Sequence, residues 1–277
     1  MARAITVLDF WVADGNGTTE NHLIKYNSDR GITSVQLIGS GWPSDLIRIG
    51  TDIYGIDTAF KQLYTLNPDT GQTTYLGSPT VYGGLGALAY DAANDILYSV
   101  DWDPGSVGSD LITFDRTTGA ATFEQTLIIS PPFNHLRHVR GLAYNTADNL
   151  LYASSVTVGN IYSVDPVTGD VNYVTTPTND LAGIYDELTF FNGDLYAPYS
   201  YFQSGSQWVQ IRLIDLATGL TTDYGPPIQD VSAHSLIVNS VPSGPILIPV
   251  PATAWLGVAL LGGLSAAGVV RKRRQAV

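Results

Sequence analysis

Cysteine is absent from this chain of 277 residues, and histidine occurs only four times. Without cysteine the protein can form neither a disulfide bond nor a metal site that depends on thiolates. The histidines are dispersed and show no His-Glu-x-x-His spacing, so a histidine-based zinc site has no local signature. From these absences we expect no metal site and no cofactor.

Basic residues are scarce as well. The chain has 13 lysines and arginines against 25 aspartates and glutamates, which gives a net charge of −12. Four of the basic residues, Arg271, Lys272, Arg273 and Arg274, are consecutive near the end, so the rest of the chain carries −16. A body this acidic repels phosphate backbones. The composition therefore excludes nucleic acid as an expected partner.

Short catalytic signatures are also missing. The sequence has no Gly-x-Ser-x-Gly elbow for a nucleophilic serine, and Gly83-Gly84-Leu85-Gly86 lacks the lysine of a phosphate-binding loop. Asp101-Trp102-Asp103 offers oxygen atoms that suit calcium, but no calcium-binding loop surrounds it, and Asx turns explain such residues equally well. We therefore expect a protein that is not an enzyme. Paired carboxylates for glycoside cleavage stay open, because only folding would bring them together.

Strong amphipathic helical periodicity is absent from the body of the chain, and a reverse turn recurs in its place. Asp or Asn at the first position accepts hydrogen bonds from amides two or three residues on, and the closing Gly adopts the positive φ that lets a second strand return. The closing glycines lie 40, 48, 50 and 50 residues apart, an interval typical of propellers and solenoids. The copies are 27–31, 67–71, 115–119, 165–169 and 215–219.

A second element repeats between these turns. A short strand with leucine at its second position is followed by a strand that contains tyrosine, and polar turns separate the two. Together with the strands that flank the Gly-ended turn, each unit predicts a four-stranded antiparallel propeller blade. The leucine-containing inner strands are predicted at 45–49, 87–91, 141–145, 187–191 and 235–239.

The two ends of this repeat indicate how the fold closes. Strands at 5–9, 23–26 and 34–38 have no inner strand before them, whereas 235–239 is an inner strand without the other three. We therefore predict an all-β propeller of five blades over residues 1–239, in which the last strand completes the first blade and few strand edges stay exposed. A larger propeller that has lost blades at its amino terminus is the alternative. The repeats resemble those of bacterial YVTN-type propellers, a likeness that carries no catalytic motif.

Composition changes abruptly after Asn239. Residues 240–251 are rich in proline, glycine and serine and predict a linker. Residues 252–270 include 19 consecutive uncharged residues, which as a helix would span about 28 Å, close to the thickness of a bilayer core. The four cations that follow would stay on the cytoplasmic side. We therefore predict a transmembrane helix with a basic tail over 252–277, in preference to a buried core helix.

This tail is similar to a bacterial sorting signal. Pro249, Val250, Pro251 and Ala252, an apolar stretch from Trp255 and the terminal basic cluster together resemble the PEP-CTERM family in its VPLPA-like variant. The resemblance implies an exported protein that an exosortase cleaves near the Pro-x-Pro motif and passes to the cell surface or extracellular matrix. In that family the signal accompanies exopolysaccharide and biofilm production in Gram-negative bacteria.

Two features depart from the family pattern. Val250 stands where the main form of the signal has glutamate, which favours the variant form. The signal peptide that such proteins carry is not visible, because Asp9 interrupts the first apolar run. We expect either that the start codon lies further upstream or that the segment is absent from this version.

Candidate ligand-binding positions follow from the propeller prediction. Sites in such folds usually form where the loops that enter the inner strands converge on the central channel, so residues at the start of each inner strand are candidates. Arg140, Asp186, Glu187 and His234 are expected to face one another at the channel mouth, and Asp45 is expected to join them.

The densest local signal is His135-Leu136-Arg137-His138-Val139-Arg140. It places two histidines and two arginines together in an acidic domain. His135 and His138 therefore favour capture of an anionic group, such as a uronic acid carboxylate, or proton transfer near neutral pH. The alternative is a solvated loop whose cations pair with nearby carboxylates.

An uncharged stretch at 199–208 carries four aromatic rings, among them Tyr201 and Trp208. It is predicted to be a long connection between the second and third strands of a blade. Flat rings beside amide side chains suit stacking against sugars. Packing between blades is the alternative.

Taken together, the sequence predicts an exported, exosortase-sorted propeller that acts as a non-enzymatic binding or scaffold module, with exopolysaccharide as a candidate ligand. The expected partners are the processing enzyme and, before processing, the inner membrane through the terminal helix. The expected location is the cell envelope, and then the cell surface or the extracellular space. An exported propeller lyase or hydrolase with a site at the channel mouth is the alternative, and structural display alone is a third possibility.

Overall fold

β-Strands make up all the regular secondary structure that the computed structural model describes. The described residues are 9–14, 21–27, 31–38, 43–80, 82, 84–101, 109–129, 136, 138–155, 159–178, 183–231 and 233–239. Within these ranges the chain has no helix of the length and apolar composition needed to cross a membrane. The predicted linker at 240–251 and the predicted transmembrane helix at 252–277 lie outside the described residues.

The described strands form five sheets, and each sheet is one blade. The first three blades contain β1 (Asp9–Asp14), β2 (Asn21–Asn27) and β3 (Gly31–Ile38); then β4 (Pro43–Ile49), β5 (Asp52–Asp57), β6 (Gln62–Leu66) and β7 (Thr73–Tyr75); and then β8 (Leu85–Asp91), β9 (Ile96–Asp101), β10 (Asp110–Phe114) and β11 (Ala121–Thr126).

The last two blades have additional short strands. Blade 4 contains β12 (Ile128–Ile129), β13 (Val139–Asn145), β14 (Leu150–Ser155), β15 (Asn160–Val164) and β16 (Asp170–Thr175), and its β12 pairs parallel to β16. Blade 5 contains β17 (Gly183–Tyr185), β18 (Thr189–Phe191), β19 (Asp194–Gln203), β20 (Ser206–Ile214), β21 (Thr221–Asp223) and β22 (Ile228–Gln229).

The final strand, β23 (Ala233–Asn239), closes the fold. It pairs antiparallel with β1, with Leu236 opposite Val12, so the first blade has the strand order β23-β1-β2-β3. The predicted closure and the prediction of five blades are both confirmed in the described part of the chain. The inner strands of the five blades are β23, β4, β8, β13 and β18.

One predicted strand boundary is wrong, and another is described only in part. Of the strand expected at 5–9, only Asp9 is among the described residues, where the strand runs from Asp9 to Asp14 and Asp14 pairs with His22. The inner strand expected at 187–191 begins only at Thr189. Glu187 lies outside the ladder, and its carboxyl group accepts the N–H of Leu188.

The core lies between blades. Five clusters of buried apolar side chains occupy the described part of the fold, and each joins two neighbouring blades. The repeated tyrosine contributes to these interfaces. Tyr98 of blade 3 stacks on Tyr144 of blade 4 at 6.3 Å, and Tyr152 of blade 4 meets the edge of Phe190 of blade 5 at 5.2 Å. The sequence repeat is therefore a repeat of contacts between blades.

The Gly-ended turns have the predicted structure in the four copies that lie fully within the described residues. In the third copy the Asp115 side chain accepts the N–H groups of Thr117 and Thr118, both at 2.8 Å. The closing glycines have φ between 71° and 77°. Each of these turns also contacts the outer part of the preceding blade. A Cβ at Gly119, for example, would lie 2.2 Å from the Leu76 carbonyl oxygen.

Candidate functional site

The leucines of the inner strands surround the propeller axis. Each inner segment contributes one leucine, and all five are at most 3% exposed. Together they line an axial cavity of about 210 Å³. The five leucines are Leu46, Leu88, Leu142, Leu188 and Leu236. We call the end where the inner strands begin the upper face and the end where they finish the lower face.

Asp45 lies beside this cavity at the start of β4 and is 1% exposed. Its Oδ1 accepts the N–H of Leu46 at 2.6 Å, and its Oδ2 accepts the N–H of Leu88 in the next blade at 2.5 Å. Both amides belong to inner strands, whose edge toward the axis has no neighbouring strand to pair with. The carboxylate therefore satisfies buried donors that would otherwise lack partners.

Glu187 of blade 5 has the matching position and is 2% exposed. Its Oε1 accepts the N–H of Leu188 at 2.8 Å, and the N–H of Leu142 in blade 4 faces the same group. No N–H or O–H group of the described residues donates to its Oε2. The remaining neighbour of this carboxyl is Asp45, with which it makes a side-chain contact across the axis.

Two buried carboxyls in contact require a proton between them. Burial raises the pKa of Asp45 to about 7 and raises the pKa of Glu187 well above its ordinary value, and the charge of Asp45 raises it further. Near neutral pH the proton therefore resides on Glu187, which donates to Asp45. This shared proton connects blade 2 to blade 5.

Ser235 completes the connections around the axis. Its hydroxyl accepts the N–H of Leu46 and donates to the Leu46 carbonyl, both at 2.9 Å. It joins blade 1 to blade 2, while Asp45 joins blade 2 to blade 3 and Glu187 joins blade 5 to blade 4. The chemistry available here is thus mainly structural, since most of the polar atoms already have partners.

A second polar group lies one residue before these positions, toward the upper face. Arg140 Nη1 is 3.6 Å from Asp186 Oδ1, and the two side chains are 40% and 3% exposed. Burial raises the pKa of Asp186 to about 6, although the Arg140 guanidinium opposes this shift. Within the described residues, no hydrogen bond of ordinary geometry reaches Asp186 Oδ1.

Comparison with known proteins identifies the architecture only. No family model matches the chain, and no curated protein matches it. A chain of a nidogen/laminin complex is similar, with a TM-score of 0.53, 11% identity, and coverage of 83% of this chain and 98% of that one. A Bacteroides thetaiotaomicron protein of unknown function is similar at a TM-score of 0.50 and 16% identity, covering 83% of this chain and 61% of that one. The shared property is the β-propeller fold.

The propeller brings together part of the predicted site. Arg140 and Asp186 meet as predicted, and Asp45 meets Glu187, but these are two separate groups at different depths along the axis. The neighbouring residues Asp186 and Glu187 are directed to different partners. The backbone of His234 lies in β23, and His138 has φ of 53°. His135 and the sorting-signal residues Pro249, Val250, Pro251, Ala252, Arg271, Lys272, Arg273 and Arg274 lie outside the described residues.

The aromatic stretch at 199–208 differs from its prediction. It is not a long connection, because β19 and β20 form a continuous hairpin whose turn is Ser204-Gly205, both with positive φ. Tyr201 is 9% exposed and stacks on Tyr199 at 5.6 Å. Trp208 packs beside the same cluster. Packing between blades accounts for both rings, and sugar stacking at them stays a prediction.

The sequence did not identify Ser235 or the leucine amides as parts of the site. A signal was present, because Asp45, Glu187 and Ser235 all precede the repeated leucine. Within the described residues no three histidine, aspartate or glutamate side chains are grouped so that they could hold a metal ion.

Proposed function

We propose that this protein is an exported β-propeller, sorted to the cell surface or extracellular matrix, that acts as a non-enzymatic binding or scaffold module for acidic exopolysaccharide. Support for export comes from the tail, whose Pro249-Val250-Pro251 motif, apolar stretch and basic cluster resemble the PEP-CTERM signal. Support for a scaffold comes from the axis, where Asp45, Glu187 and Ser235 bond to inner-strand amides and to one another.

The observation that carries the binding proposal is the Arg140–Asp186 pair. Asp186 is almost fully buried and holds one side of a guanidinium that is 40% exposed. An arginine fixed in this way keeps N–H groups free for a second carboxylate, and the planar guanidinium matches carboxylate geometry. Uronic acids supply such carboxylates in acidic polysaccharides. Because the propeller body is acidic, binding would depend on this local cation.

Replacement of Arg140 tests this proposal. We expect Arg140→Ala to weaken binding to a uronate-containing polysaccharide by about tenfold or more, because the variant loses one charge-assisted interaction. Arg48→Ala is the matched control, since Arg48 is also an exposed arginine of an inner strand but lies toward the lower face. Affinity electrophoresis on acidic and neutral polysaccharides measures both. Equal losses in the two variants, or equal binding of the neutral polysaccharide, would contradict the proposal.

A propeller lyase or hydrolase is the second candidate. The observation that favours it is the pKa of Asp186, which burial raises to about 6, a value suited to general acid catalysis near neutral pH. Incubation of the protein with uronate polysaccharides and assay of new reducing ends tests it. Turnover that disappears in Arg140→Ala with His234→Ala would establish this candidate and displace the non-enzymatic one.

A further inference from the structure

We propose that the axial cavity binds a small organic cation, a primary alkylammonium group, whose N–H groups donate to the Glu187 carboxylate. This site is separate from the Arg140 group and does not depend on the proposed function. Its shape and chemistry come from three features of the described residues: a wall that includes five leucines, an inner end with two carboxyls that share a proton, and an aromatic and acidic outer end.

The wall selects an apolar chain. The five inner leucines line a cavity of about 210 Å³. Apolar cavities of about 150 Å³ in proteins accept molecules as large as benzene. A chain of about four carbon atoms therefore fits here and can pack against the leucines.

The inner end supplies the acceptor. Glu187 is 2% exposed, lines the cavity, and has an Oε2 that receives no N–H from the described residues, so its connection there is the proton shared with Asp45. Both oxygens of Asp45 are already occupied by the amides of Leu46 and Leu88. A charged donor that displaces the shared proton therefore has one acceptor to meet, because a buried carboxylate oxygen that has lost its proton gains most from a charged donor.

The charge of the site favours a cation over a neutral molecule. Asp45 and Glu187 hold one proton between them, because two buried carboxylates in contact repel each other. An ammonium group can replace that proton, neutralise the second carboxylate and donate to Oε2. Binding then releases a proton to solvent, so the affinity must rise with pH.

The groups that face the Asp45–Glu187 pair and the cavity also favour a cation. Ser235 bonds to the Leu46 backbone beside Asp45. The Tyr64 hydroxyl lies close enough to Asp45 for the carboxylate charge to raise the pKa of Tyr64. The lower face has the rings of Tyr90, Tyr144 and Phe190 along the cavity. The hairpins that follow the inner strands carry one aspartate each, namely Asp52, Asp95, Asp148 and Asp194.

The cations near this end are already engaged. Arg48 is exposed and its Nε donates to the Gly50 carbonyl at 3.2 Å. Arg116 pairs with Asp95 and lies over the Tyr90 ring at 5.2 Å. These contacts direct both guanidinium groups to the hairpins that follow the inner strands, so neither occupies the acceptor at the inner end.

Titration of the full chain with n-butylammonium tests the site, with n-butanol as the neutral molecule of the same shape. We expect butylammonium to bind at least tenfold more tightly than butanol at pH 8, and its affinity to fall by up to about tenfold per pH unit toward pH 6. Glu187→Gln keeps the side-chain shape and should remove the preference for the cation. Calorimetry measures the affinities and the proton release, and circular dichroism checks that the variant is folded.

Two sources of the ammonium group are distinguished by a further probe. If Nα-acetyl-lysine amide binds as tightly as butylammonium, the natural ligand is a lysine side chain of a partner; if it is excluded, the ligand is a free amine. The proposal is overturned if butylammonium binds no more tightly than butanol, if its affinity is independent of pH, or if Glu187→Gln binds both molecules as the natural protein does. If Glu187→Gln does not fold, the comparison of butylammonium with butanol and the pH dependence of the affinity decide.

Discussion

Gly119→Ala should lower the free energy of unfolding by about 3 kcal/mol or more, because it combines backbone strain with a clash between blades. Gly119 has φ of 71°, which an alanine adopts only at a cost. Its added Cβ would lie 2.2 Å from the carbonyl oxygen of Leu76 in blade 2. Since a backbone carbonyl cannot rotate away as a flexible side chain can, the turn must move off its neighbour. Urea denaturation measures the loss.

Gly205→Ala separates the two contributions. Gly205 also has positive φ, 84°, but a Cβ there would meet nothing within 4 Å. The variant should therefore lose only about 1–2 kcal/mol of unfolding free energy, which is the cost of placing an alanine in the left-handed region. The difference between the variants measures the contact between blades 2 and 3. If both lose the same free energy, the turns do not support the packing of neighbouring blades and this part of the account is wrong.

Stability should fall as the pH rises from about 4 to 7 and should continue to fall above pH 7. Burial raises the pKa of Asp45 from 3.8 to about 7 and that of Glu187 well above 4.5. The folded state therefore keeps protons that the unfolded chain releases near pH 4. Each retained proton lowers the free energy of unfolding by up to about 1.4 kcal/mol per pH unit across the window between the two pKa values. Turn carboxylates such as Asp115, whose pKa is lowered by amide hydrogen bonds, act in the opposite direction at lower pH.

Glu187→Gln isolates the contribution of the buried pair. Its amide can donate to Asp45 and accept from Leu188 at every pH, so one retained proton is removed while the contacts persist. The variant should show a flatter dependence of stability on pH and should be more stable than the natural protein above pH 8. Asp69→Asn, which removes an exposed turn carboxylate, is the control. Denaturation at a series of pH values that gives parallel curves for Glu187→Gln and the natural protein would rule out the shared proton.

The local pattern of this sequence was sufficient to predict the blades, because each blade repeats the same turn chemistry. Asp115 and Asp165 organise their turns by short-range hydrogen bonds, and such bonds depend only on neighbouring residues. The closure of β23 on β1 followed from counting strands. Errors arose where tertiary contacts decide the structure: the 199–208 stretch extends as a hairpin because it pairs with β17 and β22.

The site was harder to predict because tertiary contacts determine which of its residues meet. Arg140 and Asp186 could be placed at the channel mouth from their position before an inner strand. The partnership of Asp45 with Glu187 depends on which blades face each other across the axis, and on amides of Leu88 and Leu142 that no side-chain pattern reveals. Burial then turns two ordinary carboxyls into a proton-sharing pair, a property of the fold and not of either residue.

The most direct test of the proposed function is the intact mass and cell fraction of the native protein, isolated with an antibody against the propeller. The account predicts a surface or secreted form that lacks the segment after about Pro251. A full-length protein that stays in the inner membrane would contradict sorting and leave a propeller whose partners belong at that membrane.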